Sequence, residues 1–487
     1  MGNSSDRKQA IVIGGGITGL TACYRLITES NKRGIPLDVR LLEARDYIGG
    51  VIRTSKREGF IIEHGPDAFI STKPWAKALC EELGIANQLI GTNPKERRSF
   101  VLRKGALCPV PEGFYMMAPS SFWPFVYTPI FSWGGKLRMA LDFVIPRSSD
   151  DHDESLESFV TRRFGKEAFV RLAQPMVGGV YTADPKHLSL KATMPQFLEM
   201  EQEYGSIIKA LIARKKQSRQ TTSGTSGPRY SLFLSFESGM QTLIDTLLGR
   251  LPAGCVQLGA KVNCVDRLAD EEVWHIHLDN QENIKADVVC IALPALSTAP
   301  LLKTADSELS ELLASIPYAS AANVNFVFRC EAIGHPLNGM GFIVPAIEER
   351  SILACTFSSV KFVGRAPDDQ VLLRAFVGGA LRADLFGQSE SEIIESALNE
   401  LRELLSISGE PILAIVSKHA NAMAQYHVGH IDKAAEIEGR VRKLSGFALA
   451  GNAYHGIGIP DCINSADSAA RTLLEYLARD DGTERTD

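Results

Sequence analysis

Several features are missing from this 487-residue sequence, and each absence excludes a class of protein. The net charge of −5 leaves no basic excess, so the composition does not favour nucleic-acid binding. The 9 cysteines form no C-x-x-C pair, which argues against a disulfide framework or a metal site and indicates a reducing, cytoplasmic environment. No apolar run reaches the ~18 residues of a transmembrane helix. Residues 1–9 are too polar for a secretory signal.

What remains is the composition of a folded protein, with 45% hydrophobic and 22% charged residues. A chain of this length predicts two or three domains with ample core. Short apolar runs typical of strands occur near both ends and between residues 255 and 293, whereas residues 94–210 combine helical patterns with many prolines and aromatics. Residues 215–229 are polar and rich in Ser, Thr and Gly, which predicts a flexible loop.

A glycine-rich turn follows the first apolar run, residues 10–13, and leads into a helix-competent stretch. Its Gly-x-Gly-x-x-Gly pattern, in this order of strand, turn and helix, is the dinucleotide-binding fingerprint. The first glycine permits the tight turn, the second lets the backbone approach a pyrophosphate, and the third lets the helix pack on the strand. The helix N-terminus offers N–H groups to the phosphates. The residues predicted to contact the cofactor here are Gly14, Gly15, Gly16, Ile17, Thr18 and Gly19.

Two further features extend this pattern. Glu43 ends the second predicted strand, 37–42, near the position where such folds place an acid on the ribose hydroxyl, and its charge disfavours a phosphorylated nicotinamide cofactor. Near the C-terminus, residues 450–463 read as strand, glycine-rich turn and helix, and Pro460 suits the first turn of that helix. Two such turns at opposite ends of one chain argue against an ordinary glycine-rich loop at the second of them.

The fingerprint, Glu43 and the Gly49–Gly50 loop together resemble the flavin amine-oxidase superfamily. Five further segments are similar to the bacterial coproporphyrinogen and protoporphyrinogen oxidases: residues 64–69, 174–181, 239–243, 425–430 and 456–463. The resemblance covers essentially the whole chain. It implies an α/β fold, with a Rossmann-type FAD-binding domain, a mixed-sheet substrate domain and a helical insertion. The implied limits are 1–90, 211–300 and 441–487 for the FAD-binding domain, 91–210 for a helical insertion that could face a membrane, and 301–440 for the substrate domain.

The same resemblance implies FAD as the cofactor and a set of contacts beyond the first turn. These contacts are Glu43, Ala44, Gly50, Val51, Arg53, Gly65, Pro66, Asp67, Ala68, Val262, His419, Gly451, Gly458, Ile459 and Pro460. Two positions depart from the family pattern. Val51 stands where a basic residue commonly follows Gly-Gly, so Arg53 or backbone N–H groups would have to replace that contact. His419 stands where relatives often place an aromatic residue near the flavin.

The activity that the resemblance implies is oxidation of a porphyrinogen, which loses hydride to the flavin, with molecular oxygen as the final acceptor. Coproporphyrinogen III is the expected substrate and protoporphyrinogen IX the alternative. An amine oxidase and a flavin-binding scaffold without catalysis are further alternatives, although residues 456–461 lack the flavin-linking cysteine of many amine oxidases. No acid–base residue is assigned, because lone histidines such as His427, His430 and His455 are more often structural.

Substrate carboxylates require cations, and the first candidate is Lys73, which follows the Gly65–Ala68 loop. Gly178 and Gly179 are expected to let a flat macrocycle approach closely. Arg97, Arg98 and Arg171 are further candidates for the carboxylates.

The segment 113–135 is unusually rich in aromatic residues, and its three prolines exclude a continuous spanning helix. One interpretation is a loop buried against a helical domain. The other is a surface that enters a membrane interface, where Trp and Tyr are favoured and where Lys136 and Arg138 could meet anionic head groups. The second interpretation predicts a cytoplasmic protein with peripheral membrane contact.

Overall fold

A computed structural model describes residues 7–111, 114–115, 117–148, 152–221, 232–267 and 271–480. Its strands are β1 Lys8–Ile13, β2 Leu37–Leu42, β3 Thr54–Arg57, β4 Phe60–Glu63, β5 Phe69–Ile70, β6 Leu89–Gly91, β7 Phe100–Arg103, β8 Ala106–Pro109, β9 Phe114–Tyr115, β10 Ala118–Pro119, β11 Phe233–Phe236, β12 Val256–Gln257, β13 Val262–Asp266, β14 Trp274–Leu278, β15 Asn283–Ala286, β16 Val288–Ile291, β17 Tyr318–Arg329, β18 Gly341–Ile343, β19 Ala354–Phe357, β20 Gln370–Gly378, β21 Leu413–Ala424 and β22 Phe447–Leu449.

The α-helices are α1 Ile17–Arg33, α2 Pro74–Leu83, α3 Phe122–Tyr127, α4 Trp133–Ala140, α5 Leu156–Phe164, α6 Lys166–Ala168, α7 Gln174–Tyr181, α8 Leu190–Thr193, α9 Pro195–Tyr204, α10 Ile207–Thr221, α11 Gln241–Arg250, α12 Ala295–Thr298, α13 Ser307–Ala314, α14 Ser358–Lys361, α15 Ala383–Phe386, α16 Glu390–Leu405, α17 His430–Val441 and α18 Ile459–Asp480. A π-helical turn, Phe169–Ala173, joins α6 to α7. Among these helices, none is long and apolar enough to cross a membrane.

A five-stranded parallel sheet, in the order β12-β2-β1-β16-β22, carries the dinucleotide fingerprint. Its central strands are continuous apolar runs because both faces of the sheet are covered, as the sequence predicts. Helices α1 and α18 share the core on one face. The small sheet β13-β14-β15 contributes Val265, Trp274 and Ile276 to the core on the other face. The strands of the five-stranded parallel sheet come from three separate parts of the chain.

A seven-stranded sheet, in the order β21-β17-β20-β19-β18-β7-β8, is antiparallel except for the parallel pair β18 and β7. One face packs against α16, whose apolar residues share a core with β17 and β20. Strands β7 and β8 belong to the region 91–210 that the sequence predicts as helical. They join this sheet because Phe100 and Leu102 enter the core beside α16, while Val101 packs against the helices on the other face.

Helices α4 to α10 form a separate layer around an apolar core. A buried ion pair joins Arg163 on α5 to Asp142, with both side chains 0% exposed. The loop predicted from residue 215 is helical as far as Thr221, and residues 222–231 lie outside the described part. The domain limits proposed from the sequence stay a prediction.

Candidate cofactor and substrate site

The first glycine turn lies where the backbone of three segments comes into close contact at the carboxyl edge of the parallel sheet. Gly14 has φ +110°, and a Cβ there would lie 2.7 Å from the carbonyl oxygen of Ala292. A Cβ on Gly19 would lie 1.8 Å from the oxygen of Gly14. Neither position therefore accepts a side chain, and the reason is contact within the protein itself.

Gly16 is different, because a Cβ there would meet no protein atom within 4 Å. It is the N-cap of α1, it makes no side-chain cap, and no acidic residue occupies the first turn of the helix. Free N–H groups and the positive end of the helix dipole therefore face an open space. This combination fits a bound pyrophosphate.

Glu43 lies beside this turn at the end of β2. Its Oε2 accepts a hydrogen bond from the N–H of Gly15 at 2.6 Å, and its Oε1 accepts one from Arg45 at 2.9 Å. The carbonyl of Glu43 accepts from Ala260, which brings the start of β13 and Val262 to the same edge. A carboxylate has further lone pairs, so Glu43 can both shape the turn and accept a ribose hydroxyl.

The loop after Glu43 lies directly on the first turn. Gly49 donates to the carbonyl of Gly15 at 2.8 Å, and a Cβ on Gly50 would lie 3.3 Å from the Cα of Gly16. Val51 is 43% exposed. The guanidinium of Arg53 lies 5.6 Å from the ring centroid of Tyr47, which places this cation beside the loop.

The segment Glu63–Ala68 passes between the two sheets. Gly65 is required because a Cβ there would lie 1.7 Å from the oxygen of Val51. Lys361 forms an ion pair with Asp67 at 2.8 Å. Burial opposes ionisation of Asp67, but the charges of Lys361 and Arg374 outweigh it, so the pKa of Asp67 is lowered. His419 donates from Nε2 to the carbonyl of His64 at 2.7 Å, which places it against this segment.

The second glycine turn precedes α18 and is fixed by Asp461 and Tyr426. A Cβ on Gly456 would lie 2.4 Å from Asp461 Cγ, and Gly458 donates to Asp461 Oδ2 at 3.2 Å. The buried hydroxyl of Tyr426 donates to the carbonyl of Asn452 at 2.8 Å and accepts from the N–H of Gly456 at 2.7 Å. Helix α18 begins at Ile459, so Pro460 lies in its first turn, as the sequence predicts.

Lys73 joins the two halves of the site. Its ammonium donates to Asp461 Oδ1 at 2.6 Å, and its side chain is 42% exposed. Tyr181, at the end of α7, lies near the same carboxylate: burial and the charge of Asp461 raise the pKa of Tyr181 to about 12. The partner of Lys73 is thus a residue of the second glycine turn. The contact between Lys73 and a propionate stays a prediction.

We call the face of the seven-stranded sheet that reaches from Glu63–Ala68 to α7 the cleft floor. The pairing register puts Asn323, Phe376, Ala354 and Ile343 in one row across one face of the sheet. Asn323 holds the carbonyl of His64 at one end, and Gly179 contacts Ile343 at the other, since its Cβ would lie 3.7 Å from Ile343 Cγ2.

Three residues of this floor stay half-buried although they lie within the sheet: Phe376, Thr356 and Ile343. Sequence reasoning missed all three. The only sequence signal is the alternation of β19 and β20, which cannot say which face remains open. Their partial exposure leaves two apolar side chains and one hydroxyl partly open to solvent between the segment Glu63–Ala68 and α7.

A family model described as flavin containing amine oxidoreductase matches residues 17–474. The chain belongs to this family. It is 34% identical to a coproporphyrinogen III oxidase of Bacillus subtilis (strain 168), covering 97% of this chain and 99% of the relative. It is 27% identical to a chloroplastic protoporphyrinogen oxidase of Nicotiana tabacum, covering 98% of this chain and 87% of the relative. The crystal structure of an Exiguobacterium sp. 255-15 protein assigned as a protoporphyrinogen oxidase matches with a TM-score of 0.85 at 30% identity, covering 97% of this chain and 100% of that one.

As in other members of this family, the cofactor is FAD. The fit is visible in the open space at Gly16, which a side chain would fill, and in the buried acid at the end of β2. The N-terminus of α18 is the second positive helix end at the site, suited to the flavin ring. The family, the α/β fold class and the cofactor predicted from the sequence are thereby confirmed, while the individual FAD contacts stay predictions.

The three histidines considered as bases serve other purposes in this flavin oxidoreductase. His430 is stacked on Tyr426 with ring centroids 3.9 Å apart and holds the carbonyl of Tyr454 at 3.0 Å. Burial lowers the pKa of His430 to about 4, so the ring is neutral. His455 is exposed and paired with Glu438, and His427 packs on His187. The structure brings none of them to the cleft floor.

The Gly16→Val variant is expected to fold and to lose FAD, because its side chain would occupy the space assigned to the pyrophosphate. Flavin absorbance relative to protein after purification measures the loss, and circular dichroism checks the fold. The matched control is Gly249→Val, since a Cβ at Gly249 also meets no atom within 4 Å but lies on α11. A Gly16→Val protein that retains stoichiometric FAD contradicts the assignment.

Proposed function

We propose that this enzyme oxidises coproporphyrinogen III to coproporphyrin III in haem biosynthesis, with molecular oxygen as the electron acceptor. The observation that carries the proposal is the extended sheet face on which Ile343, Thr356 and Phe376 stay partly exposed, since it suits a macrocycle better than a small amine. The identity of 34% to the Bacillus coproporphyrinogen III oxidase, over nearly the whole of both chains, supports the same substrate.

The chemistry divides between cofactor and protein. FAD supplies two-electron oxidation when bound, which is the difficult part of converting a porphyrinogen to an aromatic porphyrin. The chain orients the macrocycle, since the ring of Phe376 can stack on a pyrrole. Gly178 and Gly179 stay predicted contacts, because Gly178 is buried and Gly179 packs on Ile343. The apolar floor excludes water, and the N-terminus of α18 stabilises negative charge at the end of the site that holds the flavin.

Propionates require cations at the rim of the cleft. Lys73 retains two N–H donors beyond its bond to Asp461, so it can bind a propionate without losing that partner. Arg97 and Arg98 are exposed just before β7, so both can reach a propionate at the rim. Arg171 is a weaker candidate, because it is already paired with Glu348 at 2.5 Å.

An exposed aromatic patch supports peripheral attachment to the cytoplasmic membrane face. Five large side chains of α3 and α4 form it: Phe122 is 69% exposed, Trp123 64%, Tyr127 77%, Trp133 68% and Leu137 71%. An apolar surface of this kind is typical of an interfacial anchor.

The two cations beside this patch, Lys136 and Arg138, are hydrogen-bonded within the protein. Lys136 donates to the carbonyl of Val126 at 2.6 Å and lies 4.6 Å from the ring centroid of Trp133. Arg138 donates to the carbonyls at the end of α5. Both charges are engaged within the helical layer, so attachment is expected to depend on apolar burial more than on anionic lipid.

Purified holoenzyme is expected to oxidise coproporphyrinogen III faster than protoporphyrinogen IX, because the first has four carboxylates for the rim cations and the second has two. The measurement is kcat/KM from porphyrin fluorescence on both substrates in air-saturated buffer. A higher kcat/KM for protoporphyrinogen IX overturns the substrate assignment, and absence of turnover on both overturns the activity.

The Phe376→Ala variant is expected to raise KM about 10-fold, since it removes the stacking surface, while FAD content stays unchanged. The control is Phe386→Ala, whose half-buried ring packs on the core of the opposite face of the same sheet. Steady-state kinetics on coproporphyrinogen III compare the two variants. Equal kinetics in both variants removes Phe376 from the substrate site.

The Trp123→Glu/Tyr127→Glu double variant is expected to lose binding to phosphatidylcholine vesicles, because charge replaces the apolar anchor. Co-sedimentation with vesicles measures binding, and activity in buffer checks that the fold is intact. The control is Ile412→Glu, which changes a 50%-exposed apolar residue outside the patch. If wild type sediments only with anionic vesicles, or not at all, the apolar anchor is refuted.

A further inference from the structure

We call Glu63–Ala68 the cofactor segment. The backbone of this segment accepts hydrogen bonds from side chains of the seven-stranded sheet. Three consecutive carbonyl oxygens accept hydrogen bonds from this face: that of Glu63 from Asn325 Nδ2 at 3.2 Å, that of His64 from Asn323 Nδ2 at 2.7 Å, and that of Gly65 from Arg374 Nη2. Because C=O and N–H of a trans peptide point in opposite directions, the N–H of Gly65 faces away from the sheet. The sheet therefore sets the orientation of the segment that is expected to contact FAD.

Arg374 is the one of these groups that also reaches the cleft floor. Its side chain is buried, 4% exposed, and its guanidinium lies 4.8 Å from the ring centroid of Phe376. Phe376 is two residues along the same strand and on the same face. One planar cation thus contacts the cofactor segment at Gly65 and the substrate-facing ring at Phe376.

The burial of Arg374 is unfavourable in two respects. Its Nε has no hydrogen-bond partner in the described structure, and burying such a donor typically costs about 1–3 kcal/mol. Burial also lowers the pKa of Arg374, although the charges of Asp67 and Glu63 oppose this effect. The contacts of Arg374 with Gly65 and Phe376 are therefore made at a cost in burial.

We propose that Arg374 is a positioning residue that fixes the distance between the FAD-binding segment Gly65–Ala68 and the substrate-facing ring of Phe376. The proposal rests on the function proposed above. Transfer of a hydride requires reacting atoms ~3–3.5 Å apart, and a misplacement of about 1 Å costs roughly 100-fold in rate. Only a planar guanidinium can donate in its plane to Gly65 while its face lies on an aromatic ring; a lysine ammonium cannot do both well.

The test compares Arg374→Lys with the matched control Arg365→Lys. Arg365 is equally buried, 2% exposed, and its guanidinium lies 5.5 Å from the ring centroid of Phe362. It donates to Ser235 Oγ and to the carbonyls of Phe236 and Glu237, and it lies 3.9 Å from Glu63 Oε1, so it contacts the side chain of Glu63 but neither Gly65 nor the ring of Phe376. The two substitutions therefore change the same chemistry at similar burial.

Arg374→Lys is expected to retain FAD and a near-normal KM while the anaerobic rate of flavin reduction by coproporphyrinogen III falls about 100-fold. The visible circular dichroism of the bound flavin should change, because the segment against it shifts. Arg365→Lys should stay within about twofold of wild type in rate, with an unchanged spectrum. A wild-type rate and spectrum in Arg374→Lys, or an equal loss in Arg365→Lys, overturns the proposal.

The flavin spectrum separates this proposal from the proposed function. If wild type turns over neither porphyrinogen, the proposed function is refuted. If the flavin spectrum of Arg374→Lys is identical to that of wild type, the positioning role is refuted, whatever the outcome for the function. Arg374→Gln provides a second variant if the lysine variant does not fold: it keeps a donor for Gly65 but removes the planar cation from Phe376. Arg374→Gln is expected to show the same change in the flavin spectrum as Arg374→Lys. A wild-type flavin spectrum in Arg374→Gln counts against the proposal.

Discussion

The close approach of backbone segments at the carboxyl edge of the parallel sheet is the constraint on which the rest of the site depends. A Cβ at Gly19 would overlap the oxygen of Gly14, and one at Gly65 would overlap the oxygen of Val51, at 1.8 Å and 1.7 Å. These contacts lock α1, the loop after Glu43 and the segment Glu63–Ala68 into one layer. Gly16 alone in this group leaves open space, so the packing that excludes side chains elsewhere also defines where the cofactor phosphates can lie.

The same segment links the two sheets. On one side it meets the glycine-rich loops of the FAD-binding region, and on the other its carbonyls are held by Asn323, Asn325 and Arg374 of the seven-stranded sheet. The Lys361–Asp67 ion pair adds a charged contact between these layers at 2.8 Å. The orientation of Gly65 and the position of Phe376 are therefore coupled through the seven-stranded sheet. A shift of β20 would move both Gly65 and Phe376.

Local signals in the sequence predicted the parts of the site that depend on short-range geometry. The strand at 10–13, the glycine turn and the first turn of α18 each follow from a pattern within a few residues, and each is present in the structure. Long-range pairing could not be predicted in this way. Lys73 meets Asp461 388 residues away, and β7 joins β18 across about half the chain, so neither partner is visible in a local pattern. The floor at Phe376 was missed for the same reason, since which face of β20 stays open depends on where α7 packs.

The central claim is that a porphyrinogen bound on the Phe376 floor reduces the FAD held at the two glycine turns. The most direct measurement is anaerobic mixing of holoenzyme with a stoichiometric amount of coproporphyrinogen III while flavin absorbance and porphyrin formation are followed together. The account predicts that the flavin band bleaches on mixing and returns when air is admitted. Porphyrin formation is complete only after air is admitted, because one flavin accepts two of the six electrons that a porphyrinogen loses. A flavin band that stays oxidised while dithionite still bleaches it would contradict the account.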